Sequence, residues 1–269
     1  MNIKSITASV LMGTCVVSPT FADQHTLQPE FTFKRIGVPS RNVGKRITVQ
    51  IGPEDRVTAP SRSATPDAAP APEVELAWFW DAVSPDLADT GPGRLEQAMR
   101  ALEGAPDGVY VPSPRIQPMQ EIIAAHGRDI VIASTGSEIS PALVVALISV
   151  ESSGRVDAVS HAGASGLMQL MPDTAARFGV TDIVAPADNI KGGVAYLSWL
   201  MEHFDDDPIL ALAGYNAGEG AVRDNNGVPP YRETRNYVPK VLAAWKVARG
   251  LCQTPPELVS DGCAFAISG

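Results

Sequence analysis

Glu151 closes the apolar run Pro141-Ala-Leu-Val-Val-Ala-Leu-Ile-Ser-Val150, and the run stops at Ser152-Ser153-Gly154. A carboxyl at the end of a buried helix is partly withdrawn from water, and desolvation favours its neutral form. A free glutamic acid titrates near ~4.3 and is ionised at neutral pH. Held in an apolar wall it keeps its proton and can hand it to a leaving oxygen. A lone Glu at a helix end is more often a solvated charge, but three clusters downstream argue against that reading here. The first is Gly166-Leu-Met-Gln-Leu-Met-Pro172, preceded by Ser160-His-Ala-Gly-Ala-Ser165, where small residues let a ligand approach the backbone. Gln169 both donates and accepts hydrogen bonds, and Met168 offers an adaptable apolar wall. The second, Leu212-Ala-Gly-Tyr-Asn-Ala-Gly218, puts the phenol of Tyr215 and the amide of Asn216 on a small-residue turn. The third, Tyr231-Arg-Glu-Thr-Arg-Asn-Tyr-Val-Pro-Lys240, opens the last long helix with two tyrosines. Taken singly, each is an ordinary loop or cap, and Met and Tyr belong more often to a core.

In this order the four clusters resemble the soluble lytic transglycosylases, the SLT-domain branch of the lysozyme-like superfamily. The resemblance runs from about Ser140 to Lys246. It rests on Glu151-Ser-Ser-Gly154, Gly166-Leu-Met-Gln169, Tyr215-Asn-Ala-Gly218 and Glu233-Thr-Arg-Asn-Tyr-Val238. It implies a mainly α chain with a lysozyme-like helical catalytic domain, acting without a cofactor or metal on peptidoglycan glycan strands. The implied reaction cleaves between N-acetylmuramic acid and N-acetylglucosamine without consuming water, leaving a 1,6-anhydromuramic end. Carried over residue by residue, Glu151 is the sole acid and base. Ser160, Met168, Gln169, Tyr215 and Asn216 match groove positions, with Ser165 grouped beside them, and Tyr237 matches the tyrosine that orients the carboxyl. The substrate acetamide takes the charge-stabilising role that retaining hydrolases usually give to a second carboxylate. Asp157, Asp173, Glu219 and Glu233 lie near the motifs as candidate second carboxylates, Glu233 foremost. Two other readings stay open: a lysozyme-type hydrolase on the same fold, and a non-catalytic glycan-binding module of an envelope complex. A pure binder has no need of Glu151.

The elements that must position these residues read as short helices joined by Gly-, Pro- and Asp-rich loops. Ser140 reads as an N-cap, Pro141 as the first helical residue and Gly154 as a stop, and Asp207-Pro208 repeats the cap-and-proline signature. The expected helices are Pro118–Ala125, Pro141–Glu151, Pro172–Phe178, Asn189–Phe204, Pro208–Gly214 and Thr234–Ala248. Ahead of them, Arg46–Ile51 alternates like a short strand and Thr58–Pro72 is a Pro/Ala/Ser-rich linker. Trp78-Phe79-Trp80 reads as a packing anchor before a helix at Arg94–Glu103. The expected organisation is a signal peptide at 1–22, a low-complexity segment at 23–72, a short helical extension at 73–115, a catalytic domain at 116–250 and a tail at 251–269.

Composition bounds the rest. The chain has 269 residues, and its net charge of −9 argues against nucleic acid or an anionic membrane as main partner. The four histidines are scattered without ligand spacing, and Asp205-Asp206-Asp207 lacks the spaced oxygens of a calcium loop. Lys4, the apolar stretch Ile6–Val17 and Thr20-Phe21-Ala22 form a secretory signal cleaved after Ala22. Thr14 before Cys15 argues against a lipoprotein. The expected location is the periplasm, where Cys252 and Cys263 pair as a disulfide. The enzyme is expected to be a monomer, with the N-terminal region as a candidate arm for envelope or secretion-machine proteins.

Overall fold

Helix α4 (Pro141–Glu151) is apolar all round, and Pro141 through Ser149 are all buried. A helix with no polar face belongs in the centre of a fold. The computed structural model, which describes residues 76–266, puts it there, packed between α3 (Ile116–Ser134) and α9 (Arg232–Ala248). A second buried helix, α7 (Pro208–Ala217), lies against α9 and α6 (Pro186–His203), and α6 in turn packs on α3. Shorter helices complete the order: α1 (Ala77–Ala82), α2 (Arg94–Glu103), α5 (Pro172–Arg177) and α8 (Glu219–Asp224). Among the described residues β structure is limited to isolated bridges, so the chain is mainly α. The signal, the 46–51 strand and the 58–72 linker lie outside the described residues.

Proline sets the helix starts. Pro141, Pro172, Pro186 and Pro208 each occupy the first turn, where a missing N–H costs nothing. At α7 the cap is complete: Asp207 Oδ1 accepts from the Ile209 and Leu210 N–H groups at 2.8 and 3.0 Å. Its Oδ2 accepts from Gly91 N at 3.0 Å and Arg94 Nη1 at 2.7 Å, so this fully buried carboxylate also ties α2 to α7. At α4 the expected cap is different. Ser140 holds the N-cap position, but its hydroxyl makes no capping bond. Its N–H donates to Val259 O of the tail at 2.7 Å.

Three expected boundaries move. The first helix of the domain runs over Ile116–Ser134 rather than Pro118–Ala125, because Gly127 is a packing site and not a stop. A Cβ there would lie 3.6 Å from the Phe265 ring and 3.3 Å from Ile123. Helix α6 begins at Pro186, which leaves Asn189 inside it, and α7 continues through Ala217 to Gly218 at φ +85°. Tyr215 and Asn216 therefore stand on the last turn of a helix, not on a free turn.

Leu76, Phe79, Val83, Leu95 and Ala98 share one continuous core with the later helices. At the other end, Cys252 and Cys263 form a disulfide with Cα atoms 5.3 Å apart. The tail it closes lays Phe265, 8% exposed, beside α3 at Gly127.

Candidate active site

Glu151 is the last residue of α4, and the chain turns sharply away behind it through Ser153 (φ +54°) and Gly154 (φ +78°). A Cβ at Gly154 would approach Ile122 to 2.9 Å, so the turn needs glycine for space as well as for backbone angle. From α9, the buried Tyr237 donates its hydroxyl hydrogen to Glu151 Oε1 at 2.5 Å. Burial pushes the Glu151 carboxyl up to about 7; the Tyr237 bond pulls it back and the nearby Glu233 charge pushes it further up. The carboxyl is thus balanced between its two protonation states near neutral pH. Burial, with the Glu151 charge beside it, drives the Tyr237 phenol well above its ordinary value, so it stays a donor.

The 158–170 loop is a small hairpin. Ser165 N donates to Leu170 O at 2.9 Å and Leu170 N returns to Ser165 O at 3.0 Å. Asn189 of α6 holds it from beneath: its Oδ1 accepts from Met168 N at 2.7 Å, and its Nδ2 donates to Ser165 O at 3.0 Å and Ile183 O at 2.7 Å. Gly166 is the contact point, since a Cβ there would fall 2.3 Å from Asn189 Nδ2. Gln169, at φ +48°, donates both Nε2 hydrogens to the loop's own carbonyls, Ala158 O and Gly166 O, at 2.9 Å each. Its side-chain oxygen is left as an acceptor.

These parts meet in an open cleft of about 580 Å³. Of the residues the sequence put forward, Glu151, Ser160, Gln169, Asn216 and Tyr237 line it. Ser165, Met168 and Tyr215 do not. The Met168 side chain is fully buried against α6, where a Cβ on Gly193 would lie 2.5 Å from its sulfur, so the expected apolar wall is core instead. Tyr215 is buried too, its hydroxyl donating to Met168 O at 2.9 Å. It is a strut beneath the hairpin. Ser165 lies at the hairpin neck, with its hydroxyl on Gly163 O at 3.2 Å.

Among the candidate second carboxylates, only Glu233 lines the cleft, its Oε1 3.5 Å from Asn216 Nδ2. Glu219 is engaged by Arg177 at 2.8 Å and by the Tyr196 hydroxyl at 3.3 Å. The sequence reading missed Val150, Arg232, Asn236 and Lys240, which also line the cleft. A signal was present: positions 233, 236, 237 and 240 are spaced three and four apart and share one face of α9.

The transglycosylase SLT domain family matches residues 130–238, a span that takes in the Glu151 turn, the hairpin, the end of α7 and Tyr237. Over these residues the chain is similar to a transglycosylase SLT domain. Over 149 residues the chain is 34% identical to a soluble lytic murein transglycosylase of Salmonella typhimurium, covering 47% of this chain and 23% of that one. It is 40% identical over 137 residues to a membrane-bound lytic murein transglycosylase F of Desulfosudis oleivorans, covering 46% and 28%. A transglycosylase of Enterobacteria phage PRD1 matches at 38% over 110 residues, 41% of this chain and 39% of the phage protein. The chain therefore spans about a quarter of the length of the two bacterial relatives. The solved complex of a 70-kDa soluble lytic transglycosylase with bulgecin A aligns with a TM-score of 0.48 at 26% identity, over 62% of this chain and 29% of that one. All the cleft residues except Lys240 lie inside the SLT domain, while α1, α2 and the disulfide tail lie outside it.

Proposed function

We propose that this protein is a lytic transglycosylase that cleaves the β-1,4 bond between N-acetylmuramic acid and N-acetylglucosamine in peptidoglycan, leaving 1,6-anhydromuramic ends. The observation that carries the reading is Glu151: a half-buried carboxyl, poised at about 7, bonded by Tyr237 and facing an open cleft. The names of the relatives, lytic murein transglycosylases, support the substrate class. In the first step neutral Glu151 gives its proton to the glycosidic oxygen as the C1–O bond breaks. The substrate acetamide stabilises the positive charge at C1. In the second step the Glu151 carboxylate takes the proton of the sugar's own 6-hydroxyl as O6 bonds to C1. The carboxyl ends protonated as it began, and no water is consumed. One group can serve as acid and then as base because its pKa lies near the working pH. Tyr237 leaves the second carboxyl oxygen for the substrate and bonds more strongly once Glu151 is an anion. Ser160, Gln169 and Asn216 are the glycan contacts of this reading, and Tyr215, Met168 and Ser165 hold the surface beneath them.

The disulfide supports an oxidising compartment. We place the enzyme in the periplasm as a monomer, exported by residues 1–22, with the segment ahead of Leu76 as the arm for envelope partners. Glu233 gives the hydrolytic alternative its one foothold, as a second carboxylate on the cleft. A peptidoglycan zymogram tests the assignment: Glu151→Gln should lose about 10²–10⁴-fold in clearing activity. Clearing within a few-fold of wild type would overturn it.

A further inference from the structure

Helix α9 contains Pro239. A proline inside a helix removes the N–H owed to the carbonyl four residues back, and its ring pushes that carbonyl aside. Here the carbonyl is that of Arg235, two residues before Tyr237. It has a donor from elsewhere. Trp80 Nε1–H, 155 positions earlier on α1 and outside the SLT domain, donates to Arg235 O at 2.9 Å. The same indole lies under the Arg235 guanidinium, with Cζ 4.8 Å from the ring centre. Arg235 in turn donates from Nε to Pro229 O at 3.1 Å and from Nη2 to Val228 O at 2.7 Å, fixing the loop that enters α9. Val228 N closes the circuit by donating to Pro85 O at 2.8 Å, just past α1. The fully buried Phe79, packed edge-on to Trp80 with ring centres 5.0 Å apart, anchors the whole arrangement.

The geometry points to Trp80 as a positioning residue for the acid–base site: its indole N–H fills the hydrogen-bond gap that Pro239 opens in α9, and so fixes the turn from which Tyr237 holds Glu151. The inference rests on the reading of Glu151 as acid and base. The helical turn at stake also presents Glu233, Asn236 and Lys240 to the cleft. An aromatic ring that merely packed there would need no N–H, and the distinction can be measured.

Trp80→Phe keeps a ring under the guanidinium and deletes the donor. Pro239→Ala restores the backbone N–H that Arg235 O lacks within its own helix. The readout is the titration of the Glu151 carboxyl carbon by NMR without substrate, together with kcat and KM on a defined glycan fragment. Glu151 is faced by Tyr237 and Glu233 from α9 and by Tyr215 from α7, with Arg232 and Lys240 of α9 also on the cleft. In Trp80→Phe the bond from Tyr237 loosens, so Glu151 should titrate higher by roughly half a unit, equivalent to about threefold in its ionisation equilibrium. kcat should fall by about that factor or more, with KM little changed. The double variant with Pro239→Ala should return both readings to wild type, and it should do so even where Trp80→Phe alone folds poorly. An unmoved Glu151 titration in Trp80→Phe, or a loss that Pro239→Ala fails to repair, would overturn the inference. The titration needs no substrate. A wild-type protein inert on peptidoglycan would therefore sink the proposed activity and leave Trp80 to be judged on the titration alone.

Discussion

The proposed reaction asks Glu151 to be an acid and then a base, and burial with two neighbours sets the balance. Burial favours the neutral form, the Tyr237 hydroxyl favours the anion, and Glu233 opposes the anion again. The same balance has a cost in stability. The native carboxyl, at about 7, holds its proton more tightly than the unfolded chain at 4.5. Its contribution to stability is therefore fully present below the unfolded value and is lost as pH rises through about 7. Gln has no charge to bury, so Glu151→Gln should match wild type near pH 4 and exceed it by up to about 3 kcal/mol at pH 8. Urea denaturation of the two proteins at both pH values checks this; a gap that does not widen with pH would mean the carboxyl is not desolvated. Glu151 was legible in the sequence because an unbroken apolar run ended on it. Met168 and Tyr215 were not, since small residues around a Met or Tyr look alike whether they line a ligand or the core. Only the Asn189 bonds and the Tyr215 hydroxyl on Met168 O decide for the core.

The starts of α4, α5 and α7 were readable; the starts of α3 and α6 and the ends of α3 and α7 were not. Ser140-Pro141, Met171-Pro172 and Asp207-Pro208 carry their geometry in the local chain, whereas the helix expected to end at Ala125 continues through Gly127, where Phe265 of the tail uses the space. The Asp207 cap illustrates how far such a local signal reaches: the same carboxylate that starts α7 also receives Arg94 of α2 with both side chains buried. Asp207→Ala removes the cap and leaves the Arg94 guanidinium without its carboxylate. Breaking a buried pair in this way typically costs about 3–5 kcal/mol. The urea midpoint should fall at nearly unchanged slope. A loss below about 1 kcal/mol, the range of surface pairs, would show that water replaces the carboxylate easily.

The cleft is supported by segments outside the residues that match the SLT domain. Residues 76–105 share its core and clamp the entrance to α9, and the tail supplies Val259 O to the N–H that begins α4. Trp78-Phe79-Trp80 was legible as a packing anchor, but its partners were not, because each contact joins positions more than a hundred residues apart. The disulfide was legible, from two cysteines that the expected signal leaves in the chain. Its short loop limits the entropic stabilisation to about 3 kcal/mol. A double Cys252→Ser, Cys263→Ser variant should lose no more than that in denaturation and, at a temperature where it is folded, keep its kcat, since the cleft lies elsewhere. A well-folded variant without activity would contradict this and make the tail part of the catalytic apparatus. Free-thiol counting on protein recovered from the periplasm should find none.

In the proposed reaction Glu151 alone, acting twice, closes the sugar on its own 6-hydroxyl. Mass analysis of the fragments released from purified sacculi tests it directly, because the anhydro product is lighter than the hydrolytic one by a single water. The expected main product carries 1,6-anhydromuramic ends, with no incorporation of heavy oxygen when digestion is run in labelled water. Reducing ends that carry the label would contradict it, and would move the second catalytic role to a water activated in the cleft, with Glu233 the first residue to examine.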